Sequence, residues 1–413
     1  MRIIILGNGI AGITAARFIR KWSDHSITVI SGETDYFFSR TALMYVYMGH
    51  LRFQDTQPYE ARFWKKNRIE LVQAWVDAID VNARKLQLRD GRSLTYDKLI
   101  IATGSLTNKF GWPGQELGRV QGLYHRQDLE SMEAATPHVK NVVVVGGGLI
   151  GIEMAEMFHS RHIPVTMLVR EKSYWNGVLP AEESDMINRH IREHGIDLRL
   201  STELREIAAD GTGNAGAVVT NTGEQIVCQF VGITAGVRPN VDMLRDSGIE
   251  IGRGVLVNDH LQTNQPDVYA IGDCAELRTP KTGRRAIEAV WYVGRMMGET
   301  VAQNICRTPV EYDPGIWFNS AKFFDIEYQV YGDVPTEYEH TGKTSWYRES
   351  GCGRKSVRIV YDQATERVLG FNLMGTRFRQ EVCYHWISSG ASLETVLRDL
   401  QQATFDPEFQ PSL

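Results

Sequence analysis

One local pattern occurs twice in this chain, and it restricts the possible folds more than any other feature. In the first copy, the apolar run of residues 2–6 leads into a glycine-rich turn at residues 7–12 and then into residues 13–22, which have helical composition. The second copy has an apolar run at residues 142–145, a glycine-rich turn at residues 146–151 and a helical stretch at residues 152–160. Short β-branched runs bounded by glycine are typical of buried parallel strands. The chain is therefore predicted to be α/β, with two doubly wound domains.

Each turn has glycines at the first, third and sixth positions. The first permits a tight turn, the second lets the backbone approach a pyrophosphate, and the third lets the helix pack closely on the strand. The start of the helix adds unpaired N–H groups and partial positive charge. The sequence thus predicts two dinucleotide sites. Their predicted phosphate-binding residues are Gly7, Asn8, Gly9, Ile10, Ala11 and Gly12 in the first loop, and Gly146, Gly148, Leu149, Ile150 and Gly151 in the second.

Other candidate ligands follow predicted strand ends. Glu33 comes just after the predicted strand at residues 27–30, where a carboxylate can accept hydrogen bonds from ribose hydroxyls. Three further apolar strands end in small, turn-forming residues. An acid such as Asp273 would repel phosphate, so we expect it to accept from a ligand hydroxyl. The residues at these three strand ends are Ala102, Thr103 and Gly104, then Gly236, then Gly272 and Asp273.

Composition excludes several classes of function. The net charge of -5 argues against a nucleic-acid partner, and no run of about 18 apolar residues predicts a membrane span. The five cysteines are scattered without metal-ligand spacing, and the histidines are scattered apart from neighbours such as His159 and His162, so no metal site is predicted. We expect a cytoplasmic protein with reduced thiols.

With these motifs, the chain resembles the FAD/NAD(P)-dependent pyridine nucleotide oxidoreductases, the two-dinucleotide-binding flavoproteins that include glutathione, ferredoxin and rubredoxin reductases. The resemblance covers essentially the whole chain. It implies that the first loop binds FAD and that the second binds NADPH or NADH. It also implies that Asp273 contacts the ribityl chain of FAD, that Arg40 lies near the FAD phosphates, that Glu153 lies near the nicotinamide and that Trp291 covers the flavin. Glu153 and Trp291 are the predicted catalytic residues.

The same resemblance sets the domain boundaries. It implies a discontinuous FAD-binding domain at residues 1–110 and 240–310, and an NAD(P)-binding domain at residues 111–239. Residues 311–413 resemble the C-terminal α+β interface domain, which implies a homodimer. The expected fold is therefore glutathione reductase-like.

Residues 39–47 decide between branches of the family. Disulfide-reducing members carry a redox cysteine in the comparable helix, whereas this stretch has none. The closest resemblance is to the flavin domain of nitrite reductase and to rubredoxin reductases. Oxygenase-type ferredoxin reductases usually place a lysine where Tyr45 stands here.

The predicted function is electron transfer from NAD(P)H through FAD to a small iron–sulfur or rubredoxin-type carrier. Two alternatives remain open. One is an NAD(P)H oxidase or small-acceptor reductase. The other is a redox-sensing interaction protein that resembles apoptosis-inducing factor.

The choice between NADH and NADPH depends on the end of the strand at residues 165–169. Arg170 has the offset of a 2′-phosphate ligand, which favours NADPH. Glu171 argues the other way, because Arg170 can instead pair with it on the surface.

Overall fold

The structure is a computed structural model, and it describes residues 1–405. Its strands, numbered along the chain, are β1 (Arg2–Leu6), β2 (Ser26–Ser31), β3 (Ile69–Gln73), β4 (Val76–Asp80), β5 (Lys85–Leu88), β6 (Ser93–Thr95), β7 (Lys98–Ile101), β8 (Ser105–Thr107), β9 (Val120–Gln121), β10 (Val142–Val145), β11 (Val165–Leu168), β12 (Asp197–Arg199), β13 (Leu204–Ala209), β14 (Ala215–Thr220), β15 (Gln225–Val227), β16 (Phe230–Ile233), β17 (Val237–Pro239), β18 (Val255–Val257), β19 (Val268–Ala270), β20 (Ala275–Leu277), β21 (Phe318–Phe323), β22 (Ile326–Gly332), β23 (Lys343–Glu349), β24 (Ser356–Asp362) and β25 (Val368–Met374).

The α-helices alternate with strands through most of the chain. They are α1 (Ile10–Trp22), α2 (Leu43–Tyr47), α3 (Ala61–Lys66), α4 (Arg126–Ala135), α5 (Leu149–Ser160), α6 (Ala181–Glu193), α7 (Trp291–Cys306), α8 (Gln380–Ser389) and α9 (Leu393–Arg398). Both helices that follow a glycine loop begin three residues earlier than the sequence predicted. The third glycine of each loop therefore lies inside the first helical turn.

Two parallel sheets confirm the predicted α/β class. The first has the order β19-β7-β1-β2-β3 and the second the order β12-β11-β10-β16-β9. In each sheet the strand that leads into a glycine loop has a parallel neighbour on both sides. The side chains of β10 are all buried, as expected for a central parallel strand covered on both faces.

The chain divides into two compact units. The first comprises residues 1–108, 123–134 and 237–314, and contains the first parallel sheet. The second comprises residues 109–122, 135–236 and 315–413. The three-part division drawn from the sequence stays a prediction.

The second unit also contains a C-terminal antiparallel sheet with the order β21-β22-β25-β24-β23. Its apolar core includes Phe371, Leu373 and Trp386, so α8 packs against this sheet. The alternation of apolar and polar residues at 355–361 corresponds to β24.

A buried ion pair joins this C-terminal sheet to α6. Arg358 on β24 donates hydrogen bonds of 2.8 and 2.9 Å to the two carboxylate oxygens of Glu183. The side chains are 3% and 0% exposed. Asn372 on β25 donates a further bond of 3.1 Å to Glu183. The carboxylate is therefore fully buried and yet well supplied with donors, as a buried charge requires.

Within residues 1–405, every helix is too short or too polar to cross a bilayer.

Candidate functional site

The first glycine loop is built by close backbone contacts. Gly7 has a φ of +110°, and a Cβ there would lie 2.0 Å from the carbonyl oxygen of Ala102. A Cβ on Gly12 would lie 2.1 Å from the carbonyl oxygen of Gly7. Both positions therefore require glycine for steric reasons that do not involve a ligand.

The second loop repeats this geometry. Gly146 has a φ of +127°, and its Cβ would lie 2.5 Å from the carbonyl oxygen of Thr234. A Cβ on Gly151 would lie 2.6 Å from the carbonyl oxygen of Gly146. The two loops thus share one backbone design, as the sequence repeat predicted.

The middle glycine of each loop differs from these. Gly9 and Gly148 have ordinary dihedral angles, and a Cβ on either would meet no atom of residues 1–405 within 4 Å. No contact within these residues explains their lack of a side chain. A group that must approach the backbone closely does explain it, and a pyrophosphate is such a group.

The helix starts fit the same ligand. Gly9 and Gly148 are the N-caps of α1 and α5, neither is capped by a side chain, and no acid lies in either first turn. Asn8 turns away and donates to the carbonyl of Thr34 at 2.9 Å. The N–H groups of these first turns are therefore available to phosphate oxygens. The remaining predicted loop residues occupy the first turns: Ile10 and Ala11 in α1, and Leu149 and Ile150 in α5.

Glu33 and Arg40, predicted separately, form an ion pair. The Arg40 guanidinium donates to both oxygens of Glu33, at 2.9 and 2.7 Å. The backbone N–H of Arg126 donates a further hydrogen bond of 2.9 Å to Oε1 of Glu33. Burial opposes ionisation of Glu33, but the nearby His125, whose Nδ1 lies 3.7 Å from Oε1, and the hydrogen-bonded Arg40 outweigh it and lower the pKa of Glu33 to about 2. Glu33 is thus an anion at neutral pH, and a carboxylate can accept hydrogen bonds from ribose hydroxyls.

Tyr124 connects this pair to Asp273. Its ring lies 4.4 Å below the Arg40 guanidinium, and its hydroxyl donates to Asp273 at 3.1 Å. Ser105 donates to the same carboxylate oxygen at 3.0 Å. Burial raises the pKa of Asp273 despite these bonds. Tyr124 follows no motif, and sequence reasoning missed it.

The predicted strand-end residues form tight turns. Thr103 donates from its hydroxyl to the carbonyl of Asn240 at 2.7 Å. The three glycines have positive φ values that favour glycine, namely +70° at Gly104, +91° at Gly236 and +71° at Gly272.

Trp291 is the first residue of α7 and is partly buried. Trp291 therefore lies at the N-terminal end of this helix. Gly298, two turns later, lets α7 approach α1 closely, because a Cβ there would lie 2.6 Å from the carbonyl oxygen of Ala11.

Glu153 lies on α5, just beyond the second glycine loop. Burial raises the pKa of this carboxyl to about 7, and the neighbouring Glu156 contributes in the same direction. Glu156 itself forms an ion pair with Lys322 on β21, with 3.0 Å between Oε1 and Nζ. Glu153 therefore changes charge near neutral pH.

We expect Glu153→Gln to raise the thermal midpoint more at pH 8 than at pH 5. The pKa of Glu153 is about 7 in the folded protein, against an ordinary value of 4.5 for a glutamate, so the folded state holds the proton more tightly. Stability present below pH 4.5 is thus lost as the pH rises towards 7, by roughly 3 kcal/mol at most, and glutamine escapes this loss. Thermal unfolding at both pH values tests this, with exposed Glu203→Gln as control. An equal effect of Glu153→Gln at both pH values would contradict it.

Arg170 is 71% exposed and pairs with Glu171 at 2.8 Å. The sequence left open that Arg170 pairs with Glu171 on the surface, and this ion pair is present in the structure. Glu171 thus competes with any 2′-phosphate for Arg170.

Tyr174 anchors the second loop. Its ring is fully buried, and its hydroxyl donates to the carbonyl of Gly148. The carbonyl of the phosphate-binding glycine is thereby held in one direction.

The cysteines are far from forming a dithiol centre. Cys228, Cys274 and Cys383 are buried, and burial raises the pKa of each thiol. Among residues 1–405 no disulfide is present, and the segment 39–47 contains no cysteine.

Comparison with known families identifies this architecture. The model of the pyridine nucleotide-disulphide oxidoreductase family matches residues 1–298. The chain belongs to this family, and it is an oxidoreductase that uses FAD and NAD(P)H, as the sequence predicted.

Individual relatives narrow the resemblance. A ferredoxin reductase subunit of 5,5'-dehydrodivanillate O-demethylase from Sphingobium sp. is 32% identical over 80% of this chain and 81% of its own length. The assimilatory nitrate reductase electron transfer subunit of Bacillus subtilis is 25% identical over 92% of this chain, which spans 48% of that protein's length. Among solved structures, the ferredoxin reductase for the CYP199A2 system from Rhodopseudomonas palustris superposes with a TM-score of 0.82 at 25% identity, over 91% of both chains.

Proposed function

We propose that the protein transfers electrons from NAD(P)H through FAD to a small iron–sulfur or rubredoxin-type carrier. The observation that carries this proposal is the pair of open glycine positions, Gly9 and Gly148, combined with a segment at 39–47 that has no thiol. The two glycine loops have room for two nucleotides, but the segment at 39–47 has no thiol that could pass electrons to a disulfide. Support also comes from the Sphingobium and Rhodopseudomonas relatives, both named as ferredoxin reductases.

The residues of this chain bind and orient the two nucleotides. FAD, when bound, supplies the ring that accepts a hydride. We assign the FAD pyrophosphate to the first loop, its ribose to Glu33 and its ribityl hydroxyls to Asp273. The second loop holds NAD(P)H. Catalysis then consists mainly of positioning, with Glu153 and Trp291 as the proposed catalytic residues.

Anaerobic titration with NADH and NADPH, followed by reduction of added ferredoxin and rubredoxin, tests the proposal. We expect NAD(P)H to bleach the flavin, and the reduced protein to reduce a carrier faster than oxygen. Faster oxygen consumption would instead indicate an oxidase. If neither nucleotide bleached the flavin, the proposed function would be wrong.

We expect Arg170→Ala to raise the KM for NADPH about fivefold, corresponding to ~1 kcal/mol for an exposed charged contact, and to leave the KM for NADH unchanged. The variant of the ion-pair partner, Glu171→Gln, frees Arg170 from Glu171 and should lower the KM for NADPH. Steady-state kinetics with both nucleotides check this, and NADH serves as the internal reference. Equal changes for both nucleotides would show that Arg170 does not contact the 2′ position.

The remaining expectations are the FAD domain at 1–110 and 240–310, the NAD(P) domain at 111–239, and a cytoplasmic homodimer formed through residues 311–413. They rest on the family likeness, and light scattering of wild-type protein measures the oligomeric state.

A further inference from the structure

Two histidines and an aspartate meet within the second unit, away from the glycine loop. His190 lies on α6 and His194 is the C-cap residue of that helix, one turn later on the same face. Asp325 occupies the two-residue turn between β21 and β22. One ligand atom from each side chain lies within 4.8 Å of the other two.

The hydrogen bonding of His194 fixes its tautomer. Nδ1 of His194 lies 2.9 Å from the carbonyl oxygen of His190. A carbonyl only accepts, so Nδ1 carries the proton and Nε2 of the neutral ring carries a lone pair. That lone pair faces Oδ1 of Asp325 at 3.7 Å. Two acceptors therefore lie close together, an arrangement that a cation between them would stabilise.

His190 gives a second, independent indication of a cation at this cluster. Its side chain is 1% exposed, and neither ring nitrogen makes a hydrogen bond of acceptable geometry, although Nε2 lies 2.5 Å from Oδ1 of Asp325. Buried imidazole nitrogens usually make hydrogen bonds, whereas the close contact of Nε2 here is an ion pair without hydrogen-bond geometry. A metal ion on Nε2 would satisfy it.

We propose that His190, His194 and Asp325 bind a divalent transition metal of the zinc class, with water as the fourth ligand. In tetrahedral coordination with bonds of 2.0–2.2 Å, neighbouring ligand atoms lie about 3.4 Å apart. The distance from His194 to Asp325 is already close to this. Asp325 is 57% exposed, so its side chain is free to withdraw from His190 by the ~1 Å that coordination requires.

The surroundings fit a structural metal site. The carbonyl of His190 holds His194 from behind, as outer partners of metal-bound histidines commonly do. The Phe324 ring stacks on the His194 ring at 4.1 Å. The second oxygen of Asp325 lies 3.4 Å from Arg354, which orients the carboxylate but also adds a competing positive charge. The metal would tie α6 to the β21–β22 turn.

Calorimetric titration of chelator-treated, FAD-loaded protein with Zn²⁺ tests the proposal. We expect one ion per chain, and a thermal midpoint that rises on saturation. Asp325→Asn, at an exposed turn, should weaken binding at least ~10-fold and abolish the rise, whereas the exposed His138→Ala should behave like wild type. His194→Ala should match Asp325→Asn.

Two results would overturn the proposal. One is the absence of a stoichiometric zinc site in the wild-type protein, in which case a proton rather than a metal bridges Asp325 and the histidines. The other is unchanged zinc affinity in Asp325→Asn, which would place the ion elsewhere. Neither result would affect the proposed electron transfer, because flavin reduction is measured separately.

Discussion

Replacement of Gly148 by alanine is expected to abolish productive NAD(P)H binding while the protein stays folded and yellow. The new methyl group meets no atom of the described part of the chain within 4 Å, and the backbone of Gly148 is already in a region that alanine adopts readily. It would instead occupy the space of a pyrophosphate. Loss of two charge-assisted hydrogen bonds, each worth about 1.5–3 kcal/mol, predicts a KM increase of at least ~100-fold.

The matched control is Gly177→Ala, in the same unit. A Cβ there also meets nothing within 4 Å. Both variants should show wild-type thermal midpoints and flavin content, and only Gly148→Ala should lose reduction by NAD(P)H in stopped-flow traces. If Gly148→Ala were reduced normally, the assignment of the second loop would be wrong.

The same change in the first loop, Gly9→Ala, is expected to yield protein that retains little flavin. Gly9 also has open space and ordinary dihedral angles, so the protein-only fold tolerates the methyl group. We expect FAD affinity to fall at least ~100-fold for the reason given above. Flavin absorbance after purification, and titration of the apoprotein with FAD, measure the effect.

The two variants control each other. Gly148→Ala should keep FAD, and Gly9→Ala should lose it, with native circular dichroism in both. Gly7→Ala is unsuitable for this purpose, because its positive φ and the 2.0 Å approach to Ala102 would disturb the backbone itself. Retention of FAD by Gly9→Ala would remove the first loop from the cofactor site.

The glycine loops could be predicted because their requirements are local. The positive φ of Gly7, the packing of Gly12 and the open face of Gly9 each correspond to one position of a six-residue pattern. The strands around them are short, β-branched and buried on both faces, so hydrophobicity alone located them. The two helices that follow the loops begin three residues earlier than predicted, because a glycine in the first turn is not typical of a helix.

Contacts between distant segments could not be predicted in this way. Tyr124 reaches Asp273 across 149 residues, and Asp325 meets His190 only because a hairpin turn packs on a helix. The spacing of His190 and His194 is visible in the sequence, but nothing in it indicates the third ligand. Glu33 and Arg40 were both predicted as cofactor-binding residues, but their ion pair depends on the conformation of the chain between them.

The buried contact of Arg358 with Glu183 has a consequence for protein engineering. Removal of the segment that carries Arg358 would take away the counter-charge of Glu183 and also the apolar core residues of β24 and β25, and loss of the partner of a buried charge alone typically destabilises by about 3–5 kcal/mol. The C-terminal sheet is thus not a detachable module. Shortened versions that end before β24 would be expected to collapse into insoluble material rather than yield a minimal nucleotide-binding fragment.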